Sequence, residues 1–243
     1  MRINGESIYY RDLNAQIHAA LTEGAEEIVL DNIRGQRYIG TGLNGGLRIT
    51  INGVPGNDLG AFVNGAEIAV YGNAQDGVGN TMNSGKIVVH GNAGEVLGHS
   101  MRGGRIYILG HVSYRAGIHM KAYEDRFPVV VVGETAKDYL GEYMAGGLLV
   151  VLGLHSSAVS PVGEWVGTGM HGGEIYVRGK VKPYQLGQEV GIGTITDEDR
   201  DRLSDVLADY CRELGLPPMA FAQEEFVKLH PRSTRPYGRL YAY

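Results

Sequence analysis

The stretch Gly91-Asn92-Ala93-Gly94-Glu95-Val96-Leu97-Gly98-His99-Ser100-Met101-Arg102-Gly103-Gly104-Arg105-Ile106-Tyr107-Ile108-Leu109-Gly110 decides the fold. Its outer glycines stand 19 residues apart, and the same interval separates Gly53 from Gly72 and Gly72 from Gly91. A fixed period of this length is the signature of a stacked repeat, so it governs every later reading. The series continues at Gly133, Gly153 and Gly179 with gaps of 23, 20 and 26. Within the quoted unit, Gly103-Gly104 is a small pair that recurs as Gly45-Gly46, Gly65-Ala66, Ser84-Gly85, Gly146-Gly147 and Gly172-Gly173. Six residues before the second member of each pair stands Gly40, Gly60, Gly79, Gly98, Gly141 or Gly167. Three residues before it stands an apolar side chain: Leu43, Val63, Met82, Met101, Met144 or Met170.

After each small pair the chain alternates with period two, as a half-buried strand must. Ile68 and Val70, Ile87 and Val89, Ile106 and Ile108, Leu149 and Val151, and Ile175 and Val177 point inward, while Glu67, Lys86, Arg105 and Glu174 take the first outward position. The first unit carries one extra residue, so Ile49 and Ile51 become its inward pair and Arg48 and Thr50 face out, as a one-residue slip requires. Nineteen residues cannot bury an apolar face alone. Short strands joined by glycine corners, with no helix between them, therefore predict an all-β fold: a single-stranded right-handed parallel β-helix of about seven coils with small helical flanks. Asn73 and Asn92, each following a corner glycine, are expected to ladder between coils.

The flanks read differently. Leu13, Ile17, Ala20 and Leu21 have helical spacing, and Ile28 to Leu30 reads as a strand, so residues 1–35 form an N-terminal cap over the first coil. Residues 36–181 are the β-helix, and residues 182–243 hold a helix and a basic tail. That helix starts at Thr196 with Asp197, Glu198 and Asp199, buries Leu203, Val206, Leu207, Tyr210 and Leu214, and stops at Gly215. The tail, residues 228–243, carries Lys228, Arg232, Arg235 and Arg239 without an acid, and either folds back on its own chain or docks on a partner.

Composition excludes several function classes. Glycine reaches 38 of 243 residues, yet the net charge of −5 supplies no basic field for nucleic acid or anionic lipid. A lone Cys211 rules out an internal disulfide framework and a self-contained iron–sulfur cluster. No apolar run approaches the length of a membrane span or a signal peptide core, so the expected compartment is the cytoplasm.

Two stretches match G-x-G-x-x-G, at Gly40 to Gly45 and Gly167 to Gly172, but both lead into a strand where a dinucleotide site needs a helix. Gly98-His99-Ser100-Met101-Arg102-Gly103 resembles a nucleophile elbow. Ser100 nevertheless falls at the repeat position held elsewhere by Phe62, Thr81 or Tyr143, so it is read as a corner residue, with an independent esterase as the alternative. The eight histidines show no metal-ligand spacing. Catalytic, cofactor-binding and metal residues are therefore all read as none. Two insertions, residues 121–127 and 155–162, are either tolerant surface loops or partner contacts. An outward column with Tyr107, Val150 and Tyr176 predicts an apolar strip, fit for an interface or for the chain's own C-terminal helix.

With these repeats the chain resembles the GXGXG domain, the β-helix that closes the large subunit of glutamate synthase. The family repeat G-xx-G-xxx-G stands at Gly53, Gly56 and Gly60 and at Gly91, Gly94 and Gly98, and Gln75 replaces the middle glycine between Gly72 and Gly79. Gly141 to Gly153 is the closest local match. A separate chain of this kind is similar to the third part of a split glutamate synthase. The resemblance implies a non-catalytic structural subunit bracing a glutamine amidotransferase and an FMN-dependent synthase, with FMN and iron–sulfur clusters in the synthase partner and none in this chain. It leaves room for a homo-oligomer. The C subunit of formylmethanofuran dehydrogenase is a second relative by resemblance, which implies a scaffold role in a different complex.

Overall fold

The computed structural model describes residues 1–157, 159–219 and 225–234. Nine strands lie side by side in chain order, each parallel to the next: β1 (Arg2–Asn4), β2 (Glu27–Arg34), β3 (Arg48–Val54), β4 (Asn64–Tyr71), β5 (Ser84–Val89), β6 (Arg105–Ile108), β7 (Val129–Val132), β8 (Ala145–Val151) and β9 (Gly172–Arg178). They form one side of a parallel β-solenoid of about six turns, bounded by the seven corner glycines from Gly53 to Gly179.

Register follows from the alternation. Ile49, Ile68, Ile87, Ile106, Val130, Leu149 and Ile175 are direct neighbours on successive strands and are fully buried. Met82, Met101, Met144 and Met170 line the same core, at 0% exposure. The fifth coil holds a corner that the sequence reading passed over: Gly117, at φ 74°, and buried Met120 repeat Gly98 and Met101. There the insertion separates the corner from its strand, and Pro128 stands where other coils have the second small residue. The asparagine ladder runs through the backbone, with Asn92 N–H donating to Asn73 Oδ1 and His111 N–H to Asn92 Oδ1, each at 2.8 Å.

Helix α1 (Tyr10–Thr22) buries Leu13, Ile17 and Ala20 in the solenoid core and so covers its first coil. At the other end β11 (Phe226–Pro231) runs antiparallel along β9, and β10 (Val190–Gly193) runs antiparallel along β11. Helix α2 (Asp197–Leu214) begins with a reciprocal cap between Thr196 and Asp199 and ends at Gly215, φ 65°. Its apolar face packs on the outward side of β5 to β9, making a second core of Tyr107, Val131, Val150, Tyr176, Leu207 and Tyr210.

Candidate functional site

The corners are the distinctive local chemistry. At each one, three alternate residues lie in the left-handed region, for example Val96, Gly98 and Ser100 at φ 50°, 66° and 53°, or Tyr139, Gly141 and Tyr143 at 63°, 68° and 53°. The middle position must be glycine because its Cβ would point inward: at Gly60 it would stand 2.6 Å from Ile87 Cδ1, and at Gly141 2.6 Å from Ile175 Cδ1. The flanking two project outward and accept any side chain at a backbone cost of about 1–3 kcal/mol each. Coil-to-coil hydrogen bonds hold them there, such as Val96 N–H to Tyr114 O and Ser100 N–H to Ile118 O, both 2.9 Å. Both G-x-G-x-x-G matches are corners of this kind, and each leads into a strand as read.

Ser100 occupies the corner slot of Phe62, Thr81 and Tyr143, and the structure adds neighbours that were not foreseen. His99 Nδ1 lies 3.2 Å from Asn80 Oδ1, Asn80 Nδ2 donates to Asp58 Oδ1 at 3.0 Å, and Ser100 Oγ is 3.4 Å from His99 Nε2. Burial, then the neighbouring charge of His119, depresses the His99 pKa and favours the neutral ring. The arrangement links serine, histidine and asparagine, yet the N–H groups beside the serine are already spent. Ser100 N–H goes to Ile118 O and Met101 N–H to Gly98 O at 3.1 Å, so neither is free to stabilise an oxyanion. Among the described residues no three His, Cys, Asp or Glu side chains gather as a metal set. Cys211 is buried in α2.

At the corners of Gly117, Gly141 and Gly167 the same outward slots carry Arg115, His119, Tyr139, Tyr143 and Trp165. Tyr139 stacks on Trp165 with ring centroids 6.4 Å apart, His119 stacks on Tyr143 at 5.2 Å, and the Arg115 guanidinium lies 4.7 Å over Tyr139. Arg115 Nε also donates to Glu142 at 2.9 Å. Trp165, the chain's single tryptophan, remains 49% exposed. Sequence reasoning missed this ridge, although its signal was present: aromatic residues two positions before and after the corner glycine in consecutive units.

The remaining candidates fall into place. The strip with Tyr107, Val150 and Tyr176 is covered by the chain's own α2 and offers no free surface. Lys228 folds back, reaching Glu174 Oε1 at 2.7 Å and Asp199 Oδ2 at 2.6 Å, whereas Arg235 and Arg239 lie outside the described residues. In the first insertion Tyr123 and Arg126 bond each other's backbone, and Phe127 stays 42% exposed with Arg202 above it. In the second, His155 Nδ1 meets Glu134 Oε1 at 2.6 Å and Val159 is exposed. No helix among the described residues is long and apolar enough to cross a membrane.

Compared with known proteins, residues 15–232 match the GXGXG motif family. The chain belongs to the GXGXG family. The match takes in the solenoid strands from β2 on, α2 and β11 together. A relative from Methanocaldococcus jannaschii, an uncharacterized protein, is 47% identical over 248 residues, covering 98% of this chain and 95% of its own length.

Proposed function

We propose that this GXGXG protein is a non-catalytic structural subunit of a cytoplasmic glutamate synthase-like complex. It braces a glutamine amidotransferase and an FMN-dependent, iron–sulfur-containing synthase so that ammonia released on one reaches the other. Family membership supports the assembly. The observation that carries the docking role is the Arg115, Tyr139, Tyr143 and Trp165 ridge: aromatic and arginine side chains, half exposed, on a laddered backbone that cannot relax away from them. Tryptophan, tyrosine and arginine are the residues in which interface energy concentrates, and a rigid platform lowers the entropic cost of binding.

Co-expression with the amidotransferase and synthase chains, followed by size-exclusion chromatography, tests the reading. The subunit co-elutes with both, and Trp165→Ala with Tyr139→Ala weakens co-elution while circular dichroism stays unchanged. A chain that elutes free of both partners ends the proposal.

A further inference from the structure

A second exposed cluster lies at the opposite end of the solenoid, where α1 meets the first corner. Tyr9 and Tyr10 rings approach to 4.6 Å and Tyr10 and Tyr38 rings to 5.7 Å. The Arg37 guanidinium stands 4.9 Å over Tyr10 and 5.9 Å over Tyr38, and Arg11 lies 5.9 Å over Tyr10 while donating to its hydroxyl at 3.2 Å. Tyr9 is 58% and Tyr38 40% exposed.

The cluster is built rather than loose. Asn14 Nδ2 donates to Tyr10 O at 2.8 Å and to Arg37 O at 2.9 Å, tying helix to corner. Buried Gln36 donates to Gly5 O at 2.8 Å and to Ile8 O at 3.2 Å, and accepts from Arg34 N–H at 2.6 Å. The stem of Arg37 lies along Gly56, where an added Cβ would come within 2.9 Å of Arg37 Cγ. Tyr38 itself is a left-handed corner residue at φ 62°.

Charge supplies the direction. Arg2, Arg48, Arg105 and Arg115 each sit against a carboxylate, but neither Arg11 nor Arg37 is ion-paired among the described residues. Asp12 follows Arg11 on the helix without pairing to it, and Asp58 on the next coil accepts from Asn80. Two unpaired guanidiniums held over tyrosine faces, on a chain whose net charge is −5, are an isolated cationic and aromatic surface. Arginine forks receive carboxylates, and tyrosine rings take up apolar side chains at low entropic cost.

We propose that Tyr9, Tyr10, Arg11, Arg37 and Tyr38 form a docking surface for an acidic segment of a partner polypeptide. Side-chain carboxylates of that segment pair with Arg11 and Arg37, and its apolar residues lie on the tyrosine rings. This surface is separate from the Trp165 ridge and does not depend on which complex the chain joins. The overall acidic charge disfavours nucleic acid as the occupant.

The test uses the full chain and a fluorescein-labelled peptide alternating glutamate and phenylalanine, followed by fluorescence anisotropy in low and high salt. The peptide binds saturably and binding weakens with salt. The Arg11→Gln/Arg37→Gln double variant loses about tenfold or more in affinity, as expected when charge-assisted pairs are removed. Arg102→Gln, which alters an exposed arginine elsewhere, leaves binding unchanged, and a lysine–phenylalanine peptide does not bind. Absence of peptide binding, equal binding by the double variant, or equal loss in Arg102→Gln overturns the proposal. Tighter binding of an RNA oligonucleotide than of the peptide also overturns it, as does a dimer in light scattering that the double variant abolishes, which assigns the surface to a second copy.

Discussion

The Tyr107 hydroxyl donates to Asp209 Oδ2 at 2.7 Å, joining β6 to α2 across 102 residues of sequence. Asp209 also takes Lys86 Nζ at 3.3 Å and the Arg105 guanidinium, and its side chain is only 7% exposed. Asp209→Ala leaves the Tyr107 hydroxyl without its buried acceptor and Arg105 without its carboxylate, while Lys86 keeps Glu213 at 2.6 Å. A loss of about 3 kcal/mol follows from breaking a buried pair on one side. Urea denaturation of the full chain measures it, and a change under about 0.5 kcal/mol contradicts this role.

Leu207 is fully buried between α2 and the sheet. Leu207→Asp places an unpaired charge in that seam, so α2 separates from Tyr107, Val150 and Tyr176 while the solenoid core stays closed. Limited proteolysis should then cut within α2, and a hydrophobic dye should bind the uncovered strip. Wild-type resistance in the variant refutes the assignment.

Gly60→Ala tests the inward corner position. Its Cβ would lie 2.6 Å from Ile87 Cδ1, with φ at 64°. Backbone strain alone costs about 1–2 kcal/mol, and the clash adds to it. Ile87→Val removes the clashing Cδ1 at a cost of about 1 kcal/mol by itself. The double variant should therefore be less destabilised than the sum of the singles, a coupling that a double-mutant cycle in urea reads directly.

Acid should loosen α2. Burial raises the carboxyl of Asp199, but the hydrogen bonds from Lys228 and Thr196 outweigh it and hold the group well below the usual carboxylate range. Asp209 is held low in the same way, by Tyr107 and Arg105 against the burial penalty. A folded pKa below the unfolded value means that the stabilisation is complete above the ordinary carboxylate range. It is lost as pH falls from about 5 through the depressed folded values. Urea midpoints measured between pH 7 and pH 2.5 should fall steeply in the wild type. Asp199→Asn should start lower and fall less; parallel curves exclude the linkage.

The coil period, the methionine column and the strand register were legible because each depends on one local rule repeated many times. Ile87, Ile106 and Ile175 face inward for the same reason, and no long-range information was needed. The fifth corner at Gly117 and Met120 escaped because an insertion follows it and the small pair that marked the others is replaced by Phe127-Pro128. Strand β11 escaped because its basic residues read as a tail, although Val227 and Leu229 alternate with Lys228 and His230; its place is set by Glu174 and Asp199, distant in sequence. The Trp165 ridge and Tyr38 lie in outward corner slots, where packing leaves the residue type unconstrained, and Tyr9 and Tyr10 reach Tyr38 from the start of α1. Only the stacking of coils reveals which of those residues are neighbours.

Strand β9 meets β11 after a long detour, with Arg178 and Glu225 paired across 47 residues. Synthesis runs in one direction, so each parallel coil settles on the coil made just before it. The edge of β9 cannot be closed in that way. It stays bare until α2 has been made and the chain has returned, which leaves an interval during translation when another unfinished copy can pair there instead. In the cell, the hazard to this protein is thus concentrated in time, between the emergence of β9 and the arrival of its antiparallel neighbour.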